Sequence, residues 1–97
     1  MATYVALLRF TAQGVKNIKQ SPSRAQAFRK AVAAGGGRVR HLFWTMGSHD
    51  GVAIFDMPNS EAATALMLSI ALKGNVQTET LRAFEEQDFK EILKRVK

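Results

Sequence analysis

The chemistry-bearing residues of this chain gather at strand ends. Thr45-Met46-Gly47-Ser48-His49-Asp50-Gly51-Val52-Ala53-Ile54 reads as a turn joining two apolar strands, with a histidine beside an aspartate where the sheet ends. A rigid sheet fixes such side chains while the loop leaves them accessible. His49 and Asp50 are therefore the candidate catalytic pair, the imidazole serving as acid or base. Neighbours in sequence need not face each other, and the structural alternative has Asp50 accepting turn amides. His41 lies mid-strand and suits either an interface or a cavity wall. Arg9 and Arg82 are arginines inside strands, where partial burial asks for an anion: Glu79, or the carboxylate or phosphate of a ligand. Trp44, with Tyr4, Phe43 and Phe55, offers aromatic surface for a ligand or for a core. Arg9, His41, Trp44 and Arg82 are the candidate ligand-binding residues.

Missing parts exclude several classes. No cysteine is present, which removes disulfides, thiolate metal sites and a thiol nucleophile. His41, His49 and carboxylates are a thin metal-ligand supply, so no metal and no cofactor is expected. Gly35-Gly36-Gly37 follows a helix and lacks the Lys-Ser/Thr of a phosphate loop. No nucleophile elbow or His-x-x-x-His pair occurs.

Ninety-seven residues, 46% hydrophobic and 23% charged, make a single globular domain over 1–97. The N-terminus enters a strand at once and the longest apolar run, Ala62 to Leu72, is shorter than the roughly 20 residues of a membrane span. A cytoplasmic protein with no membrane association is expected. The net charge of +6 is uneven: residues 1–49 carry no acid, and all eight acids begin at Asp50. Such a half attracts anions or is simply a solvated helix face.

The positioning elements follow from pattern. Tyr4 to Phe10 is a strand, and Thr11 to Lys19 contains a helical turn or short helix. Ser21-Pro22 opens a helix with Ala25, Phe28 and Val32 as its buried stripe. Val39 to Met46 and Gly51 to Met57 are strands, and Pro58-Asn59-Ser60-Glu61 starts a helix that Gly74 ends. Asn75 to Phe84 is the fourth strand, and Phe89, Ile92, Leu93 and Val96 stripe a C-terminal helix. The order βαββαβ with an extra C-terminal helix predicts an α+β, ferredoxin-like fold with a four-stranded antiparallel sheet and two helices on one face. Simple alternation sets Val39, His41 and Phe43 against Leu42, Trp44 and Met46. Both faces of the first three strands are largely apolar, so the open face needs a cover. The C-terminal helix covers part of it, and a second copy of the sheet the rest, predicting a homodimer or higher homo-oligomer.

Several segments together resemble the GYD domain family: Tyr4-Val5 through Phe10-Thr11, Gly14-Val15-Lys16-Asn17-Ile18-Lys19, Ser21-Pro22, Arg24-Ala25, Ala27-Phe28-Arg29, Gly36-Gly37, Trp44-Thr45-Met46-Gly47 with Asp50, and Gly74-Asn75-Val76 with Thr80-Leu81-Arg82-Ala83-Phe84. The resemblance implies a ferredoxin-like domain of the dimeric α+β barrel type, in which two sheets pack face to face. The family's eponymous tyrosine corresponds to His49, which exchanges a phenol for an imidazole.

Three functions are compatible with this reading. One is a small-ligand-binding oligomer with its pocket between the open sheet face and the partner subunit, suited to a small anionic or aromatic molecule. Another, by analogy with the wider barrel superfamily, is a cofactor-independent oxygenase or isomerase with His49 or His41 as acid/base. The third is an electrostatic module binding RNA or an acidic partner through the basic half. Nucleic acid is disfavoured, because Val52 and Ile54 stand where the stacking aromatics of RNA-recognition motifs belong.

Overall fold

Strand pairing organises the molecule. In the computed structural model, which describes residues 1–97, β1 (Ala2–Phe10) occupies the middle of a four-stranded antiparallel sheet ordered β2-β3-β1-β4. β2 is Arg38–Trp44, β3 Gly51–Met57 and β4 Val76–Ala83. Between β1 and β2 lie α1 (Ala12–Lys16), a 3-10 turn (Ile18–Gln20) and α2 (Ser21–Ala34). α3 (Ser60–Leu72) joins β3 to β4, and α4 (Glu86–Leu93) ends the chain. This is the α+β ferredoxin-like arrangement expected from the order of elements. No helix is long and apolar enough to cross a membrane.

Local chemistry sets the boundaries. The Asn59 side chain accepts the Ala62 N–H at 2.8 Å and caps α3. The Thr11 hydroxyl accepts the Gly14 N–H at 3.1 Å and caps α1. α2 begins at Ser21, one residue before the expected proline start, with Gln20 in the cap position and no side-chain cap. A Cβ on Gly14 would collide with the Asn75 carbonyl, so only glycine lets α1 sit against the entry to β4.

The core fills one side of the sheet. Phe55, wholly buried, lies between the Tyr4 ring, stacked at 5.7 Å, and the Phe28 ring, edge-on at 5.5 Å. Tyr4 and Ser60 share a hydrogen bond of 3.0 Å between their hydroxyls. Val32, Met57, Ala63, Leu66 and Met67 complete this cluster.

Two expectations are corrected. The strict alternation of β2 fails at a bulge: Val39 pairs with Phe55 and His41 with Ile54, so Arg40 is an extra residue. Val39 therefore joins Leu42 on the helix side, while Arg38, His41 and Phe43 take the open side with Asp56, Ile54 and Val52. The second correction concerns α4, which does not bury its stripe on its own sheet. Phe89, Leu93 and Val96 are 52%, 51% and 68% exposed. The radius of gyration, 14.5 Å, exceeds the about 12.5 Å of a compact chain of this length because α4 stands away.

Candidate functional site

The sheet divides the candidate residues between its two faces. Register places His41, Ile54, Val5 and Leu81 in one row of the open face and Phe43, Val52, Leu7 and Glu79 in the next. Arg9 lies beyond them, opposite Gln77. The rings of His41 and Phe43 stack with centroids 5.8 Å apart, 10° from parallel. Arg9 and His41 thus share a face, although strand geometry separates them by roughly 16 Å. Trp44 and Arg82 belong to the other face, paired with Gly51 and Tyr4, towards opposite ends of the sheet. The six candidates do not converge on one point.

His49 and Asp50 part company at the turn. His49 Nδ1 lies 3.2 Å from the Ser48 hydroxyl. Asp50 faces β1: its Oδ2 accepts the Phe10 N–H at 2.8 Å, and its own N–H donates to the Leu8 carbonyl at 2.7 Å. The Thr45 N–H and hydroxyl close the loop on the carbonyls of Asp50 (3.0 Å) and His49 (2.6 Å). Asp50 therefore clamps the turn to the neighbouring strand, a backbone role close to the structural alternative weighed for it.

Neither strand arginine pairs with Glu79. Arg82 donates to the carbonyls of Thr3 and Ala83, and its guanidinium covers the Phe84 ring at 4.4 Å. It ends an open groove between α3 and β4 that carries the hydroxyls of Tyr4, Ser60, Thr64, Thr78 and Thr80.

The charged centre of the open face lies elsewhere, at Asp56. Its carboxylate is 3% exposed and accepts from Thr3 Oγ1 at 2.7 Å, Arg38 Nε at 3.0 Å and Arg40 Nε at 2.9 Å. Burial pushes the carboxyl upward, but the hydrogen bonds from Thr3, Arg38 and Arg40 outweigh it and hold it at about 2. Arg40 also reaches Glu85, which together with Asp56 raises its own pKa further. Because β2 and β4 are opposite edges, this contact ties the root of α4 back across the sheet. Sequence reasoning missed this cluster. The available signal was Asp56 standing two residues beyond Ile54, on the same face as Val52 and Ile54. No three His, Asp or Glu side chains come together as a metal site.

Comparison with known proteins gives this arrangement a family. The family model of the GYD domain matches residues 4–93, nearly the whole chain. The chain belongs to the GYD domain family. No curated protein matches this GYD domain. Among solved structures it is similar to TTHA0845 from Thermus thermophilus, at 26% identity over 88% of this chain and 95% of that one, with a TM-score of 0.55. FFRP-DM1 is similar at 16% identity, over 87% of this GYD domain and 100% of the other chain, with a TM-score of 0.58. A hypothetical protein, PHS023 from Pyrococcus horikoshii, aligns at 16% identity over 89% and 93%, with a TM-score of 0.57. The last two likenesses concern the fold alone.

Proposed function

We propose that this GYD domain works as a cytoplasmic homodimer, or a multiple of dimers, that binds a small ligand between the open sheet faces of two subunits. The observation that carries this reading is an apolar open face left uncovered by its own chain. Val5, Leu7, Val52, Ile54, Phe43 and Leu81 make up most of its two middle rows, with His41 and Glu79 at their ends, and Phe43 and Leu81 are 54% and 44% exposed. Four strands and seven residues span about 19 by 24 Å, or about 450 Å². A stable interface needs about 800 Å² per partner. The bare stripe of α4, rooted beside this face by Arg40 and Glu85, supplies further apolar area.

Two such faces bring stacked His41–Phe43 pairs and Arg9 to the walls of the enclosed space, suited to a small aromatic or anionic molecule. Asp56 is held by its own chain and need not find a partner across the interface.

Native mass spectrometry tests the proposal on the protein as purified. A dimer or multiple of dimers is expected, with retained ligand as excess mass. Ile54→Lys is expected to give a folded monomer by circular dichroism, and His41→Ala a dimer without the retained mass. A monomer at micromolar concentration overturns the reading.

A further inference from the structure

The face opposite the proposed interface holds a cavity of about 170 Å³. Its origin lies in a gradient along the central strand pair. The helix-side cross-strand pairs run Ala2/Met57, Tyr4/Phe55, Ala6/Ala53 and Leu8/Gly51. Met57, Tyr4 and Phe55 fill the interior at the first two steps, whereas the third has alanine on both strands and the last sets Leu8 against a glycine. α2 packs mainly over the edge strand β2, and α3 mainly over the edge strand β4 with a smaller approach to β3, and both helices line the gap between them. Leu8, Leu42, Phe28 and Ile70 are only partly buried around it. Trp44, the chain's single tryptophan, is one of its lining residues and is 52% exposed.

The charges lining this cavity are Arg24, Lys73 and Asp50. Asp50 is committed to the Phe10 amide. Arg24 is steadied by the Asn17 carbonyl (3.0 Å) and the Ser21 hydroxyl (3.1 Å), both neutral, and Lys73 takes part in no ion pair. The lining thus carries two cations that no carboxylate pairs, and one carboxylate, Asp50, held by a backbone amide, around an apolar chamber. An engineered apolar cavity of roughly 150 Å³ in another protein takes benzene, so a single ring fits the volume. From the chamber and its rim together, we propose that this cavity binds a single-ring aromatic monocarboxylate, with its ring over Ala6 and Ala53 and its carboxylate at Arg24 and Lys73. The site lies across the sheet from the inter-subunit space and does not depend on the subunits pairing.

Trp44 fluorescence reads occupancy directly, with phenylacetate as probe and phenethylamine as its charge-reversed counterpart. Phenylacetate is expected to change the emission saturably below about 1 mM, and phenethylamine to bind at least about tenfold more weakly. Lys73→Ala and Arg24→Ala should each weaken phenylacetate about five- to tenfold. Ala53→Leu fills the chamber from its floor and should abolish the response; if it fails to fold, Ala31→Phe narrows the lining from α2 instead. The proposal is overturned by the absence of a saturable response, by equal binding of phenethylamine, or by a response that survives filling.

Discussion

Arg40 binds Asp56 from a position that has no partner of its own in the sheet. It is the bulged residue of β2, and its Nε donates to Asp56 Oδ2 at 2.9 Å while Arg38 Nε reaches the same oxygen at 3.0 Å. Arg38 and Arg40, two residues apart, converge on one carboxylate, and the extra residue brings His41 to the same side. Without it, regular alternation would send Arg40 and His41 to opposite sides.

Acid should expose the contribution of this cluster. Asp56 titrates at about 2 in the folded chain against an ordinary 3.8, so its stabilisation is complete above about 3.8 and is lost as pH falls through about 2. After allowance for solvent screening this amounts to on the order of 1–2 kcal/mol. Urea unfolding of the protein and of Asp56→Asn should differ most near neutral pH and converge towards pH 2. A gap independent of pH would remove the electrostatic explanation.

The two arginines should be unequal. The Arg38 side chain is 71% exposed and that of Arg40 31%, and only Arg40 also holds Glu85. Arg40→Ala is expected to lower the melting temperature more than Arg38→Ala, whose cost is that of a surface pair, about 0.5 kcal/mol or less. Equal melting temperatures for the two variants would contradict this ranking.

At the turn, Asp50 and His49 should differ in what they contribute to stability. Asp50→Ala leaves the Phe10 amide without its acceptor and should cost about 1–2 kcal/mol, whereas Asp50→Asn keeps a neutral oxygen there and should cost less. His49→Ala is expected to stay within about 0.5 kcal/mol of the parent. Denaturant titration of the three variants checks the order; a large loss in His49→Ala would make the imidazole a structural part of the loop.

Gly14→Ala should destabilise by about 1–3 kcal/mol, because its Cβ meets the Asn75 carbonyl rather than a yielding side chain. A melting curve unchanged by the substitution would mean that α1 can move away from β4 at no cost.

Most of the fold was legible because its signals are local. The helix start at Pro58-Asn59-Ser60-Glu61 and the Val32 and Phe28 stripe each depend on a few neighbouring residues and appear where expected. The side of the sheet that a residue occupies depends instead on register. One bulge at Arg40 exchanged the side of Val39, and strand pairing, absent from any single segment, set Arg9 and Arg82 on opposite faces. The Asp56 cluster was hidden for the same reason, since Thr3, Arg38 and Asp56 meet only once three strands are aligned. Asp50 was legible as a turn residue, but its partner on β1 was not.

The passage from Tyr4/Phe55 to Ala6/Ala53 along the central strands has a mechanical meaning as well. Hydrostatic pressure favours whichever state has eliminated more internal void, and one such void lies towards the Trp44 end of the sheet. Compression will loosen the Trp44 end first while the Phe55 end still holds, and a molecule that fills the chamber will make the two ends yield together.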